Sequence, residues 1–211
     1  MNQQKAIAIL GGGGRTGKFL VGQLIDQGYR LKVLLRSPEN FELHHPSVEI
    51  VKGDAIDSAS IHELVKNSQA VISTLGQRQN EPLVAHTATA NILKAMTYYE
   101  IKRYVLVGGI NIDTPYDKKS PQTLAATSWM KANFPLIQED RQKAYSALLE
   151  CRLDWTLVRV PMIEFTGEEG NLKISVENCL GTRITAGDIA NFLVQQLTDD
   201  RFFRQAPFIA N

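Results

Sequence analysis

Apolar residues recur along the chain with two alternating periods. Short β-branched and aliphatic runs, AIAIL (6–10), LKVLL (31–35), VEIV (48–51), AVIST (70–74), RYVLVG (103–108) and WTLVRV (155–160), read as buried strands. Between them lie helical patterns. In GKFLVGQLIDQG (17–28), Phe19, Leu20, Leu24 and Ile25 fall near one face and Gly28 supplies a stop. SASIHELVKN (58–67) and PLVAHTATANILKAMTYYE (82–100) follow, the second with Pro82 suited to its first turn. QEDRQKAYSALLECR (138–152) and TAGDIANFLVQQLTDD (185–200) complete the set, with Thr185 or Asp188 as a helix cap. Repeated strand–helix alternation predicts an α/β fold, a Rossmann-like doubly wound parallel sheet with helices on both faces. No repeat or linker marks a second domain, so residues 1–211 form one. Two segments, 110–136 and 161–180, show neither period and are expected to be loops around a binding pocket.

Composition narrows the class of partner. The 211 residues are 44% hydrophobic and 21% charged, with a net charge of +1, ordinary for a globular protein. Such a balance provides no field for nucleic acid or an acidic membrane. Cys151 and Cys179 form no C-x-x-C pair and fit reduced thiols in the cytoplasm. The apolar run from Ala6 to Leu10 is too short for a signal-peptide core, and no stretch approaches a membrane span. His44 and His45 lack a third ligand nearby, so no metal is expected. His62 and His86 fall on predicted helices, and DKKS (117–120) reads as a solvated turn.

The first strand runs into Gly11, Gly12, Gly13 and Gly14, then Arg15, Thr16 and Gly17 at the start of a helix. Two glycine frames fit, Gly12-x-Gly14-x-x-Gly17 and Gly11-x-x-Gly14-x-x-Gly17, and they share Gly14 and Gly17. One glycine makes a tight turn, one admits a pyrophosphate to the backbone, and one lets helix and strand pack closely. The helix N-terminus offers its free N–H groups to phosphate. A Walker-type loop is excluded, because Lys18 is followed by Phe19. At the end of the second strand, where a cofactor without a 2′-phosphate meets Asp or Glu, stands Arg36. A guanidinium there suits the 2′-phosphate of NADP(H), with Arg15 on its other side. NADP(H) is therefore preferred over NAD(H).

The stretches ILGGGGRTGKFLVGQLIDQGY (9–29), VLLRSPE (33–39), VKGDAID (51–57), AVISTLG (70–76), RYVLVGG (103–109), LDWTLVRVP (153–161) and ITAGDIANFLVQQL (184–197) resemble the atypical short-chain dehydrogenase/reductase superfamily. Within it, the resemblance is to NmrA-like NAD(P)H-binding proteins, small flavin reductases and biliverdin-IXβ reductase. It implies that Asp54 and Ala55 lie near the adenine, and that Thr74, Leu75 and Gly76 line the adenine-ribose side. Gly108, Gly109, Pro161 and Met162 would lie by the nicotinamide. All of these fall at strand C-terminal ends, where open α/β sheets bind ligands. A turn capped by Asp54 and relaxed by Gly76 is the structural alternative.

The departures from that pattern matter as much. The superfamily's Tyr-x-x-x-Lys pair is broken, since Tyr145 is followed at the fourth position by Leu149, and the fifth strand ends in glycines without a serine. Carbonyl reduction by the usual triad is disfavoured, and Tyr145 reads as packing or pocket lining. A flavin such as FMN, or a quinone, takes its proton from water and asks the protein only for positioning. Trp129, Phe134, Met162 and Phe165 are the candidate pocket walls. Two functions stand: an NADPH-dependent reductase of a planar acceptor, and a non-catalytic NADP(H)-binding sensor with a protein partner.

Overall fold

The computed structural model of the protein describes residues 5–211. Six parallel strands form the body of the sheet: β1 (Ala6–Leu10), β2 (Leu31–Leu35), β3 (Val48–Lys52), β4 (Ser68–Ser73), β5 (Arg103–Gly109) and β6 (Asp154–Val160). Four short strands follow: β7 (Met162–Glu164), β8 (Lys173–Ser175), β9 (Arg183–Thr185) and β10 (Phe208–Ala210). Among the described residues the main sheet runs β3-β2-β1-β4-β5-β6-β10-β8, with only β8 antiparallel, and β7 pairs with β9 alongside. β1 lies between β2 and β4. The chain therefore reverses direction across the sheet at that point, and a crevice opens beyond the strand ends there.

The continuous apolar runs are explained by two covered faces. In β1, Ile7 and Ile9 join Leu20, Leu24, Ile189 and Phe192 under α1 (Gly17–Asp26) and α6 (Ala186–Gln195). Ala8 and Leu10 face the other way, toward Ile61, Ile92 and Leu148 of α2 (Ser58–Val65), α3 (Ala85–Tyr98) and α5 (Pro135–Glu150). Side chains that alternate by pleat thus enter two cores. Gly28 closes α1 at φ +79°, and Thr185 caps α6 by accepting the Asp188 N–H. No helix among the described residues is long and apolar enough to cross a membrane.

Three expectations need correction. Segment 110–136 is largely helical: α4 (Pro121–Asn133) occupies its second half, and α5 starts at Pro135. Ser120 caps α4 and Pro121 opens it, but its only buried positions are Thr123 and Thr127. A helix that buries threonines leaves no apolar stripe to read. Segment 161–180 contains β7 and β8, each of three residues, below the length at which periodicity registers. Finally, α3 begins at Ala85, past Pro82. The Asp140 carboxylate of α5 accepts the N–H groups of Ala85 (2.8 Å) and His86 (3.3 Å), fixing the start of α3 from outside.

Candidate functional site

The glycine turn joins β1 to α1 around one carbonyl. Gly11 has φ +77°, and a Cβ there would lie 2.8 Å from the Thr74 backbone. A Cβ on Gly17 would collide with the Gly11 carbonyl oxygen and come within 2.7 Å of the Gly12 Cα. The Gly14 N–H donates to that same oxygen at 2.9 Å. Gly11, Gly14 and Gly17 thus converge, the second of the two glycine frames, while Gly12 is buried against Val33 and Gly13 is exposed. Thr74 binds the turn to β4 by donating its N–H to Leu10 (2.9 Å) and its hydroxyl to Gly11 (3.2 Å). Helix α1 has no side-chain cap at Thr16 and no acid in its first turn. That end is open to an anion.

Two cavities flank the turn. The smaller, about 250 Å³, is lined by Gly13, Arg36, Asp54, Ala55, Leu75 and Gly76, among others. Arg36 leaves β2 and makes a fork with Glu81, Nη1 to Oε2 at 2.8 Å and Nη2 to Oε1 at 2.9 Å, with Asp54 Oδ2 4.0 Å away. That pairing holds Arg36 more firmly protonated and pulls the Glu81 carboxyl below its ordinary value. Glu81 was invisible in the sequence because the loop 77–84 brings it across 45 positions. Asp54 also accepts the Ile56 N–H (3.2 Å), so it does cap a turn, and Ala55 is buried beside it.

The larger cavity, about 450 Å³, runs from Gly14, Arg15 and Thr74 to Gly108, Gly109 and Pro161 at the ends of β5 and β6. The Arg15 guanidinium lies 3.9 Å above the Phe165 ring, forming one wall. Tyr145 forms another; it is buried, meets Trp155 edge-on at 6.1 Å, and burial raises its phenol pKa. Three expected residues lie elsewhere. Met162 is 74% exposed; along β7 the pleat turns Pro161, Ile163 and Phe165 to the cavity and Met162 outward. Trp129 and Phe134 are exposed and pack on each other at 5.6 Å. Thr123 and Thr127 take the inner face of α4, which puts Trp129 on the outer one. Arg141 and Arg78 line this cavity and went unnoticed in the sequence. Arg141 stands one helical turn before Tyr145, a spacing that could have revealed it.

A buried polar knot holds the β5–β6 end in place. Arg159 on β6 is fully buried and donates to the carbonyls of Ala206 (2.8 Å) and Ile112 (3.0 Å) and to both Asp117 oxygens (2.7 and 2.9 Å). Its guanidinium lies 3.5 Å above the Phe208 ring. Gln142 of α5 exchanges two hydrogen bonds with the Asp113 backbone, and Gln138 pairs with Asn111. The 117–120 turn is therefore no solvated turn: the Lys119 side chain is 2% exposed and bound to Asp113 at 2.7 Å, Asp117 and Ser120 are partly buried, and Lys118 alone of the four is exposed, beside Glu177. Among the described residues no group of three His, Cys, Asp or Glu side chains is placed to hold a metal.

Known proteins place this geometry. A short-chain dehydrogenase/reductase of Veillonella parvula, solved in complex with NADP, superposes with a TM-score of 0.82 at 16% identity, covering 98% of this chain and 94% of that one. An oxidoreductase of Lactococcus lactis gives 0.77 at 21% identity, over 98% and 90%. An uncharacterised chloroplastic protein of Arabidopsis thaliana is 24% identical over 211 residues, 95% of this chain and 73% of its own length. Cinnamoyl-CoA reductase 1 of Petunia hybrida is 22% identical over 143 residues, 62% of this chain and 43% of that enzyme. The chain spans less than half the length of the Petunia enzyme. The structural likenesses show the fold, and the family model described as NAD(P)H-binding matches residues 11–200. By that match, which takes in the glycine turn and every strand from β2 to β9, the chain belongs to the NAD(P)H-binding family.

Proposed function

We propose that the protein is an NADPH-dependent reductase of a planar acceptor such as a flavin or a quinone. One observation carries this reading: the glycine turn opens onto a cavity of about 450 Å³ that has room for an acceptor but no tyrosine–lysine pair to protonate a carbonyl. The glycine turn fits a dinucleotide, since the absence of a Cβ at Gly17 lets α1 pack directly on the turn and the α1 N-terminus stands uncapped. Bound NADPH would supply a hydride to the acceptor. The chain's own residues position. Gly11, Gly14 and the first turn of α1 receive the pyrophosphate; Arg36 exchanges the Glu81 carboxylate for the 2′-phosphate. Gly108 and Gly109 add no side chain of their own at the ring's approach, Pro161 lines it, and Arg15 and Phe165 form one wall. Tyr145 stays neutral, because its buried phenol has a raised pKa. The free thiols of Cys151 and Cys179 suit a reducing compartment such as the cytoplasm.

The test is NADPH oxidation followed at 340 nm with FMN as acceptor. Turnover well above the uncatalysed rate supports the reductase. One observation favours the second reading, a non-catalytic NADP(H)-binding regulator: the exposed Trp129–Phe134 pair at the α4–α5 corner suits a protein partner. Tight NADPH binding without turnover on any flavin or quinone would select it.

A further inference from the structure

Of the charged groups along the larger cavity, three are arginines, and no carboxylate lines it among the described residues. Two of the three already have company. Arg15 lies on Phe165, and Arg78 is 3.5 Å from Glu81. Arg141 differs from both: it is half-buried where Arg15 is exposed, no ring covers it, and no described residue accepts a hydrogen bond from it or lies within ion-pair distance. Its sequence neighbour Asp140 acts on it only as a nearby charge that offsets part of the effect of burial, and forms no ion pair with it. Successive helical side chains point about 100° apart, and Asp140 is committed to the α3 N–H groups of Ala85 and His86. Arg141 instead shares the inner face of α5 with Tyr145 and lies over the end of β5. A Cβ on Gly109 would come 3.2 Å from its Nη1.

A half-buried guanidinium without a counter-ion is costly unless something supplies the negative charge. Burial lowers the Arg141 pKa, the sign expected for a cation short of partners. The cofactor phosphates have other seats, at the α1 N-terminus and at Arg36 in the smaller cavity. What remains for Arg141 is the molecule beside the nicotinamide. Resting on the reductase reading above, we propose that Arg141 recognises an acidic group, a carboxylate or a phosphate, on the acceptor, so that the preferred substrate is a planar acceptor bearing an acid. The guanidinium fork grips two oxygens of such a group at once and fixes the ring's orientation over Gly109. A neutral ring would leave the charge bare.

The experiment uses the full chain saturated with NADP⁺ and titration calorimetry with matched acceptors. FMN is set against riboflavin for the phosphate, and a naphthoquinone carboxylate against the parent naphthoquinone for the carboxylate. NADPH oxidation is followed with the same four compounds. At least one acid should bind about tenfold or more tighter than its neutral partner, as a bidentate charged pair implies. Arg141→Met should bring that ratio to within about twofold while NADP⁺ affinity, which reports an intact fold, stays unchanged; Arg141→Lys should restore part of it. Arg141→Gln serves the same purpose should the methionine variant misfold. No preference for either acid in the native chain, or a preference that survives Arg141→Met, overturns the assignment. The reductase reading fails separately. An acid preference without NADPH oxidation sinks that reading and keeps Arg141 as an anion seat; oxidation of all four compounds with equal KM does the reverse.

Discussion

The two ends of the cleft are held by different means. Beyond β1 the site is backbone: Gly11, Gly14 and Gly17 gather around one carbonyl oxygen within seven residues of sequence. Beyond β5 and β6 it is side chain: Arg159, Asp117, Gln138 and Gln142 tie together loops and helices separated by tens of residues. At the first end Gly11 and Gly17 tolerate no added atom, since what their Cβ would meet is chiefly backbone with nowhere to move. The second tolerates substitution on its surface but not at its knot, where a buried charge depends on its partner. On the reductase reading, the first end receives the cofactor's pyrophosphate and the second its nicotinamide and the acceptor.

Substitutions can break or sharpen this contrast. The largest effect belongs to Gly17→Ala, whose methyl group collides with the Gly11 carbonyl. We expect NADPH binding to weaken by more than about 100-fold, with loss of thermal stability. Titration and melting of the one variant check both. Asp117→Asn acts at the opposite end by leaving Arg159 buried without its charge partner. It should destabilise the fold by about 3 kcal/mol in denaturant unfolding, yet leave NADPH affinity of the folded fraction almost unchanged. Loss of cofactor binding there would join two ends that the structure keeps apart.

Smaller effects probe the 2′-phosphate seat. Arg36→Glu should weaken NADPH binding about 30-fold and NADH binding by less than about threefold. Equal losses would remove the assignment. Glu81→Gln should act in the opposite direction and tighten NADPH about fivefold, because an uncharged amide competes poorly for Arg36. Smallest of all is Tyr145→Phe. Burial raises its pKa, which makes the phenol a poorer proton donor than a free one, and Leu149 stands where an assisting lysine would be. Turnover should therefore change by less than about threefold, whereas losing a general acid would cost at least about 100-fold.

How much was legible in the sequence follows the same division. The six long strands, the doubly wound arrangement and the glycine turn could be read, because local spacing encodes each of them. A cap at Thr185 or Asp188 was legible for the same reason, and the structure selects Thr185. Helix α4 was not, since it buries threonines where a reader looks for leucines. Glu81 was missed because its meaning lies in a partner 45 positions away. Met162 was misplaced by one residue, which in a strand turns a side chain to the other face. Trp129 and Phe134 were named for their aromaticity, a property that does not say which way a helix turns. Lys119 was assigned to solvent for its charge, and the knot that buries it could not be seen from one segment.

The edge-on contact between Tyr145 and Trp155 has an optical consequence. The chain has two tryptophans; Trp129 is exposed at the α4–α5 corner, while Trp155 is buried directly behind a wall of the larger cavity. Indole emission overlaps the absorption of reduced nicotinamide and falls off steeply with distance as energy is transferred. Trp155 should thus dim when the reduced cofactor docks, and dimming that persists in Trp129→Phe would assign the signal to it. The cavity has a lamp set behind its own wall, able to report occupancy before any acceptor is known.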